Sequence, residues 1–337
     1  MGISASCQSG TKDFYILPMV ARAASKPKPR PLRKSLFIDS TDILSDPEAL
    51  RKRADREGYL YFKRLLPAAY VMKLRAEILA VMDTYGWRAR GQGRLGGRLD
   101  TATIDAIPAV EIQSWGTGEA CYRDVQKLQA FHEFPHHPKL LALYRKLFGG
   151  EVLVHPRNIA RMIIPHRDNF PTPQHQDFPH IQGTANTWTC WIPMGDCPRS
   201  LGGLTVLRGS HKAGTMPVRP AKGAGGGGAA VQLCPWESHW VEGDYEAGDV
   251  LTFHSMTVHK ALRSQSKDQL RLSLDVRYQA LAEPVEKGSL GLHFKDMTWR
   301  QVYRNWKSDD LKYYWRKLPL KMAPWEANHF QLKRRIC

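Results

Sequence analysis

The sequence predicts a mainly β fold with flanking helices, and three features carry that expectation. Short apolar runs separated by Gly, Pro and polar turns fill residues 150–280, as in a β sandwich or barrel. Helical periodicity is confined to stretches before and after those runs. With 42% hydrophobic and 24% charged residues in a chain of 337, the composition is that of a globular protein able to bury a sizeable core.

In chain order, residues 1–37 read as a flexible basic leader. Its segment KPKPRPLRK at 26–34 has too little apolar surface to offset the entropy of ordering. The opening MGISAS also fits the short acceptor pattern for myristoylation, with Gly2 and Ser6 in place. DPEALRKRADREG at 46–58 begins with an aspartate suited to an N-cap and reads as a short helix. YLYFK at 59–63 alternates and is aromatic, as a strand does. Residues 67–85 put Val71, Leu74, Ile78 and Val81 on one helical face, with Pro67 at the start and Gly86 at the stop.

The Gly- and Arg-rich stretch 86–118 reads as surface loop, and 119–131 and 138–148 as helices, the second ended by Gly149 and Gly150. Six strand-like runs follow: EVLV, NIARMII, NTWTCWIPM, GLTVL, DVLTFH and LRLSLDVRY. KGAGGGGAA at 222–230 cannot pack a core and reads as a flexible excursion between strands. TWRQVYRNW and DDLKYYWRK, within 298–317, read as aromatic helical stretches packed back on the β core. A basic tail closes the chain from 321 to 337, which leaves 38–320 as a single domain.

The formal charge of +17 favours anionic partners. No helix-turn-helix, zinc-finger or RNA-binding signature accompanies it, so no specific nucleic acid is expected. No apolar run reaches bilayer length, and FYILPMV at 14–20 is too short and proline-broken for a signal peptide. Membrane association is therefore not expected. The six cysteines (Cys7, Cys121, Cys190, Cys197, Cys234, Cys337) form no CxxC pair and read as reduced thiols, consistent with a cytoplasmic location.

The densest coordinating chemistry lies in HQDFPH at 175–180. Residues two apart on a strand share a side, so His175 and Asp177 project together. His180, following Pro179, need not share their direction. A second histidine is available in GDVLTFHSMTVHKAL at 248–262, where His254 and His259 differ by five and would face opposite ways on a regular strand. Two histidines and a carboxylate on one face form the arrangement of non-haem Fe(II) oxygenases. The polar stretch RSQSKDQ at 263–269 reads as a hairpin turn with its tip near Gln265. Such a hairpin would put His259 across from Arg271, with Cβ atoms roughly 5 Å apart.

The return strand alternates Arg271, Ser273, Asp275 and Arg277 on one face with Leu272, Leu274, Val276 and Tyr278 on the other. A guanidinium can grip a carboxylate through two parallel hydrogen bonds, and Ser273 can add a third donor. That is what the distal carboxylate of 2-oxoglutarate requires. The alternatives are a zinc hydrolase built on the same three ligands, which would need no arginine–serine grip, and a non-catalytic scaffold binding an anionic partner.

Several stretches together resemble the phytanoyl-CoA dioxygenase family of Fe(II)- and 2-oxoglutarate-dependent oxygenases. PQHQD at 173–177 resembles its iron motif, and TWTCWIPMGDCPRSLGGLTVLRGSHKAG at 187–214 its central signature. GDVLTFHSMTVHKAL resembles the distal-histidine strand and LRLSLDVRYQ at 270–279 the arginine strand. EGYLYFKRLLP at 57–67 and HPKLLALYRKLFGGEVLV at 137–154 are similar to the helical front half. The resemblance covers roughly residues 45–280.

It implies a double-stranded β-helix core (jelly-roll, cupin-like). It implies His175, Asp177 and His259 as iron ligands and Arg271 as the 2-oxoglutarate anchor, with His180 and His254 outside the ligand set. Trp191 is placed either in the pocket wall beside the cofactor or in the core, and His211 of the GSH turn reads as a structural residue. The cofactors implied are Fe(II), 2-oxoglutarate and O2, and the reaction is oxidation of an unactivated C–H bond with release of succinate and CO2. Family-like halogenases lack the carboxylate, so the presence of Asp177 favours hydroxylation. The expected substrate is a small molecule, anionic or CoA-linked.

Overall fold

A computed structural model describes residues 34–112, 115–223, 228–235, 237–294 and 296–330. The myristoylation pattern, most of the basic leader, the glycines at 224–227 and the final KRRIC lie outside the described residues.

Two sheets form the core. The larger runs Tyr59–Phe62, Val250–His254, Trp188–Pro193, Arg271–Ala280, Val152–Val154, all antiparallel, with Ile159–Ile163 also paired to the start of Arg271–Ala280. The smaller runs Lys34–Leu36, Trp240–Glu242, Leu204–Leu207, His259–Ala261. Tyr59, Tyr61, Trp191, Leu251 and Phe253 of the first pack with Leu204, Val206 and Val241 of the second. This is the mainly β jelly roll with flanking helices that the sequence predicts. Among the described residues, no helix is long and apolar enough to cross a membrane.

The other face of the large sheet carries the helices. Leu272, Leu274, Val276 and Tyr278 join Leu74, Ile78, Leu143 and Tyr144 in the main apolar cluster. Tyr278 stacks on Tyr144 with ring centroids 3.9 Å apart and donates to the Pro135 carbonyl at 2.7 Å. Alternation along Arg271–Ala280 thus assigns its faces, apolar toward the helices and polar toward the inter-sheet space.

The front helices form where expected. Asp46 caps Pro47–Glu57 through the Glu48 and Ala49 amides, and Gly58 ends that helix at φ 77°. A Cβ at Gly58 would run into the ring of His211, whose Nε2 lies 2.9 Å from the Asp55 carbonyl. The GSH turn therefore packs on the helix end, the structural role expected for His211. Ala68–Thr84 and Pro138–Phe148 match the second and last expected helices. The stretch expected at 119–131 is split into Glu119–Gln126 and Gln129–Glu133.

Four local expectations change. Residues 34–36, the end of the expected leader, are a strand paired in parallel with 240–242 and so belong to the small sheet. Residues 321–330 are not a free tail: Met322–Ala323 pairs with Val285–Glu286, and residues beyond it pack near the HQDFPH turn. The aromatic stretches at 298–317 are helical only in short pieces, the α-helix Trp299–Val302 and the 3-10 helices Tyr303–Asn305 and Tyr314–Lys317, and Tyr303, Trp306 and Trp315 pack into the main cluster. Cys121, Cys190 and Cys197 are free and buried, whereas Cys234 is disulfide-bonded.

Candidate active site

His175 and His259 meet as neighbours across two chain segments. Each amide donates to the other's carbonyl at 3.0 Å, an isolated antiparallel bridge at the edge of the small sheet. Asp177 stands at the N-terminal boundary of the short helix Phe178–Ile181 with helical φ and ψ. It joins His175 through a turn rather than along an extended strand. One ligand atom from each of His175, Asp177 and His259 lies within 4.8 Å of the others.

The three side chains are held with their donor atoms converging. His175 Nδ1 is 2.9 Å from the Pro173 carbonyl and His259 Nδ1 is 3.0 Å from the Thr257 carbonyl. A carbonyl only accepts, so each Nδ1 carries the proton and each Nε2 keeps its lone pair. Those Nε2 atoms lie 3.7 and 3.9 Å from Asp177 Oδ1. The other carboxylate oxygen is occupied: Oδ2 accepts from the Thr189 hydroxyl at 2.5 Å and from Arg277 Nη2 at 3.2 Å. Two imidazole nitrogens and one carboxylate oxygen are therefore free toward one point, a donor set that fits a divalent iron.

The electrostatics favour the same state. Burial alone would push the Asp177 carboxyl up, but Arg277, His259, His175 and Thr189 together hold it well below the usual carboxylate range. Burial pushes His175 down to about 3, with His259 adding to the effect. Burial also lowers His259, with Asp177 opposing it. The imidazoles are thus neutral and the carboxylate charged at neutral pH, as metal ligation needs.

Buried neutral histidines also make the fold acid-labile. Burial holds His132 and His155 at about 4 and His175 at about 3, whereas an unfolded histidine titrates near ~6.5. Between those values the unfolded chain binds protons that the folded one does not, so stability falls as pH falls. The melting temperature of the metal-free protein is expected to drop steadily from pH 6.5 to pH 4 in a thermal-melt series.

Arg271 is almost fully buried, at 4% exposure. Its Nη1 donates to Ser273 Oγ at 3.0 Å, and no carboxylate pairs with it among the described residues. The other two arginines of this face or its neighbour are paired, Arg277 with Asp177 at 3.2 Å and Arg161 with Asp275 at 2.7 Å. Burial lowers Arg271 below the usual guanidinium value. Trp191 lines the same space as Arg271, Asp177 and His259, and its ring packs 4.6 Å from Tyr245, making it pocket wall and core at once.

The expected hairpin joining His259 to Arg271 does not form. His259 pairs with Val206 in the small sheet, and Arg271 with Ile163 in the large one. A turn after His254, closed by the Thr257 amide on the His254 carbonyl at 2.8 Å, breaks the expected continuous strand. The two residues still line one space, because they face each other across the sandwich. His180 lies outside the donor set: its ring is 6.1 Å from that of His175 and 4.9 Å from Phe330. His254 packs on Trp188 and His211.

Sequence reasoning missed the two groups that hold Asp177. Arg277 was visible only as a polar residue on the Arg271 face, and Thr189 as part of an apolar strand. Arg277→Leu is expected to weaken Fe(II) binding about 10- to 100-fold, as loss of a partner to a metal ligand does. Anaerobic metal titration followed by calorimetry reads that change.

The ligand turn also has a C-terminal partner. Gln182 donates from Nε2 to the Glu326 carbonyl at 2.8 Å and accepts from the Glu326 amide at 2.7 Å. The His329 ring packs 4.8 Å from Phe178.

A jelly roll with two histidines, a carboxylate and an unpaired arginine between its sheets defines a non-haem Fe(II)- and 2-oxoglutarate-dependent oxygenase. Residues 54–272 match the family described as phytanoyl-CoA dioxygenase (PhyH), and the chain belongs to that family. It is 30% identical over 254 residues to the 1-deoxypentalenic acid 11-beta-hydroxylases of Streptomyces arenae and Streptomyces exfoliatus, covering 72% of this chain and 84% of each of those proteins. Among solved structures, it is similar to the epimerase SnoN in complex with Fe3+, alpha ketoglutarate and nogalamycin RO. That likeness is 22% in identity with a TM-score of 0.47, over 72% of this chain and 86% of the other. The iron-bound structure of EctD from S. alaskensis matches at 13% identity and a TM-score of 0.46, over 82% and 88% of the two chains.

Proposed function

We propose that His175, Asp177 and His259 hold the iron, that Arg271 and Ser273 grip the distal carboxylate of 2-oxoglutarate, and that the enzyme hydroxylates a small metabolite. The observation that carries this reading is the sorting of polar atoms at the site. Both histidine Nδ1 atoms and Asp177 Oδ2 are engaged, which leaves two Nε2 atoms and Oδ1 for one metal ion. Iron bound there, with 2-oxoglutarate and O2, supplies the oxidant for an unactivated C–H bond as 2-oxoglutarate becomes succinate and CO2.

The protein's own part is to fix three donors on one side of the ion and to keep water out. Trp191 and Phe253 form apolar wall, and Arg277 with Thr189 keeps Asp177 from turning. Arg271 provides a buried cation whose charge no side-chain carboxylate balances, the complement of a dianion's trailing end. A zinc hydrolase has no use for that arginine.

The substrate is a small molecule bearing an anionic group. Two features support this: the +17 charge of the chain and the carboxylic acid named in its hydroxylase relatives. A CoA-linked acid meets the same criterion. Residues 34–330 act as one catalytic domain, wider at both ends than 38–320; Cys121, Cys190 and Cys197 are free, but the disulfide-bonded Cys234 removes the support that six reduced thiols would have given a cytoplasmic location.

The deciding experiment is anaerobic addition of Fe(II) and then 2-oxoglutarate to the pure protein. A visible charge-transfer band requiring both is expected. A protein that binds Fe(II) and shows no band on addition of millimolar 2-oxoglutarate would overturn the proposal.

A further inference from the structure

The connection from the small sheet to the large one, residues 262–270, does more than join His259 to Arg271. With residues 163–171 it encloses a second cavity of about 270 Å³, lined by Arg271 and Ala261 and by Arg167, Arg263 and Lys267. Arg271 and Ala261 also line the inner space beside the metal ligands, which measures only about 20 Å³. The two spaces therefore share Arg271 as a common wall, and the outer one is the roomier.

Charge in the outer cavity is one-sided. Among the described residues, no Asp or Glu lines it. Arg167 is paired with Asp168 at 3.2 Å, while Arg263 and Lys267 are exposed and have no acidic partner among the described residues. The loop that carries them is pinned rather than free. The Leu262 amide donates to Gly203 at 2.9 Å, the Gln265 amide to Ser200 at 2.7 Å and the Leu270 amide to Gly97 at 2.9 Å. Inside the loop, Ser266 Oγ accepts from the Gln269 amide at 2.9 Å.

We propose that this cavity is the entrance for 2-oxoglutarate, with Arg263 and Lys267 drawing the dianion in and Arg271 stopping its trailing carboxylate. The proposal rests on Arg271 being the cosubstrate anchor. Direction follows from the chemistry of the ligand. Its chelating keto-acid end must travel past Arg271 to reach the metal donors, and its plain carboxylate arrives last, at the arginine shared by both spaces. Arg263 and Lys267 then act on the approach and not on the bound complex. Steering of this kind raises association rates by about 10- to 1,000-fold and weakens as salt screens it.

The test is anaerobic stopped-flow mixing of the Fe(II)-loaded full chain with 2-oxoglutarate at several NaCl concentrations, read by the charge-transfer absorbance. Arg263→Glu combined with Lys267→Glu is expected to slow association about tenfold or more at low salt, to flatten the salt dependence, and to leave dissociation unchanged. Both side chains are exposed, and circular dichroism checks that the variant folds. Wild-type association with wild-type salt dependence would overturn the entrance. So would an unchanged association rate with faster dissociation, which would put the cations in the bound complex. Equilibrium binding by Arg271→Ala separates the premise from the inference: undiminished affinity there overturns the anchor, whatever the double variant does.

Discussion

Arg271→Ala is expected to raise the dissociation constant for 2-oxoglutarate by about 30-fold to several thousand-fold. Truncating one partner of a buried, hydrogen-bonded charge pair costs about 2–5 kcal/mol, and each ~1.4 kcal/mol is tenfold in affinity. The same change should leave the melting temperature of the metal-free protein unchanged or raised. In the absence of ligand, Arg271 is a desolvated cation with Ser273 Oγ as its hydrogen-bond partner, and such a group opposes folding. Equilibrium titration of 2-oxoglutarate and a thermal melt of the same preparation measure both. Arg271→Lys keeps the charge but loses the planar fork, so its affinity should fall between the two. A large fall in melting temperature with unchanged cosubstrate affinity would make Arg271 a structural residue.

His175→Ala is expected to reduce iron-dependent succinate formation to background while the fold survives. The imidazole bonds only to the Pro173 carbonyl in its own turn, and the bridge to His259 is made by backbone atoms that alanine retains. The buried Asp177–Arg277 pair also stays intact. Asp177→Ala is a less clean experiment, because it strands Arg277 without its carboxylate, and breaking a buried pair costs about 3–5 kcal/mol on its own. Succinate release and iron content, measured on the His175 variant after circular dichroism confirms its fold, decide the point. Turnover at the wild-type level would remove His175 from the ligand set.

How much of this was legible beforehand depended on the reach of the interactions. His175 and Asp177 sit in one short segment, and Arg271 on a strand whose strict alternation shows its polar face. His259 was legible as a candidate partner of His175 and Asp177, with which it clusters, but its surroundings were not. A local turn after His254 moves His259–Ala261 to the other sheet, and nothing in TFHSMTVHKA distinguishes that turn from a continuing strand. His259 and Arg271 line one space although the inferred hairpin did not form, since a sandwich brings opposing faces together as a hairpin brings neighbours. The strand at 34–36 was hidden because its partner at 240–242 is some two hundred residues away, and the composition around it is that of a solvated leader. Arg277 and Thr189 were hidden for a related reason: their importance comes from a single carboxylate oxygen that the sequence places 12 residues from one and 100 from the other.

The pairing of Gln182 with Glu326 spans 144 residues. At translation speeds of about 5–20 residues per second, the ligand turn leaves the ribosome roughly 7 to 30 s before the segment that braces it. Throughout that interval the Gln182 amide has neither of its Glu326 partners, and Phe178 and His180 lack the rings of His329 and Phe330. The turn that carries His175 and Asp177 is thus braced only after the chain has been made as far as Glu326, later than the strand that brings His259 beside it.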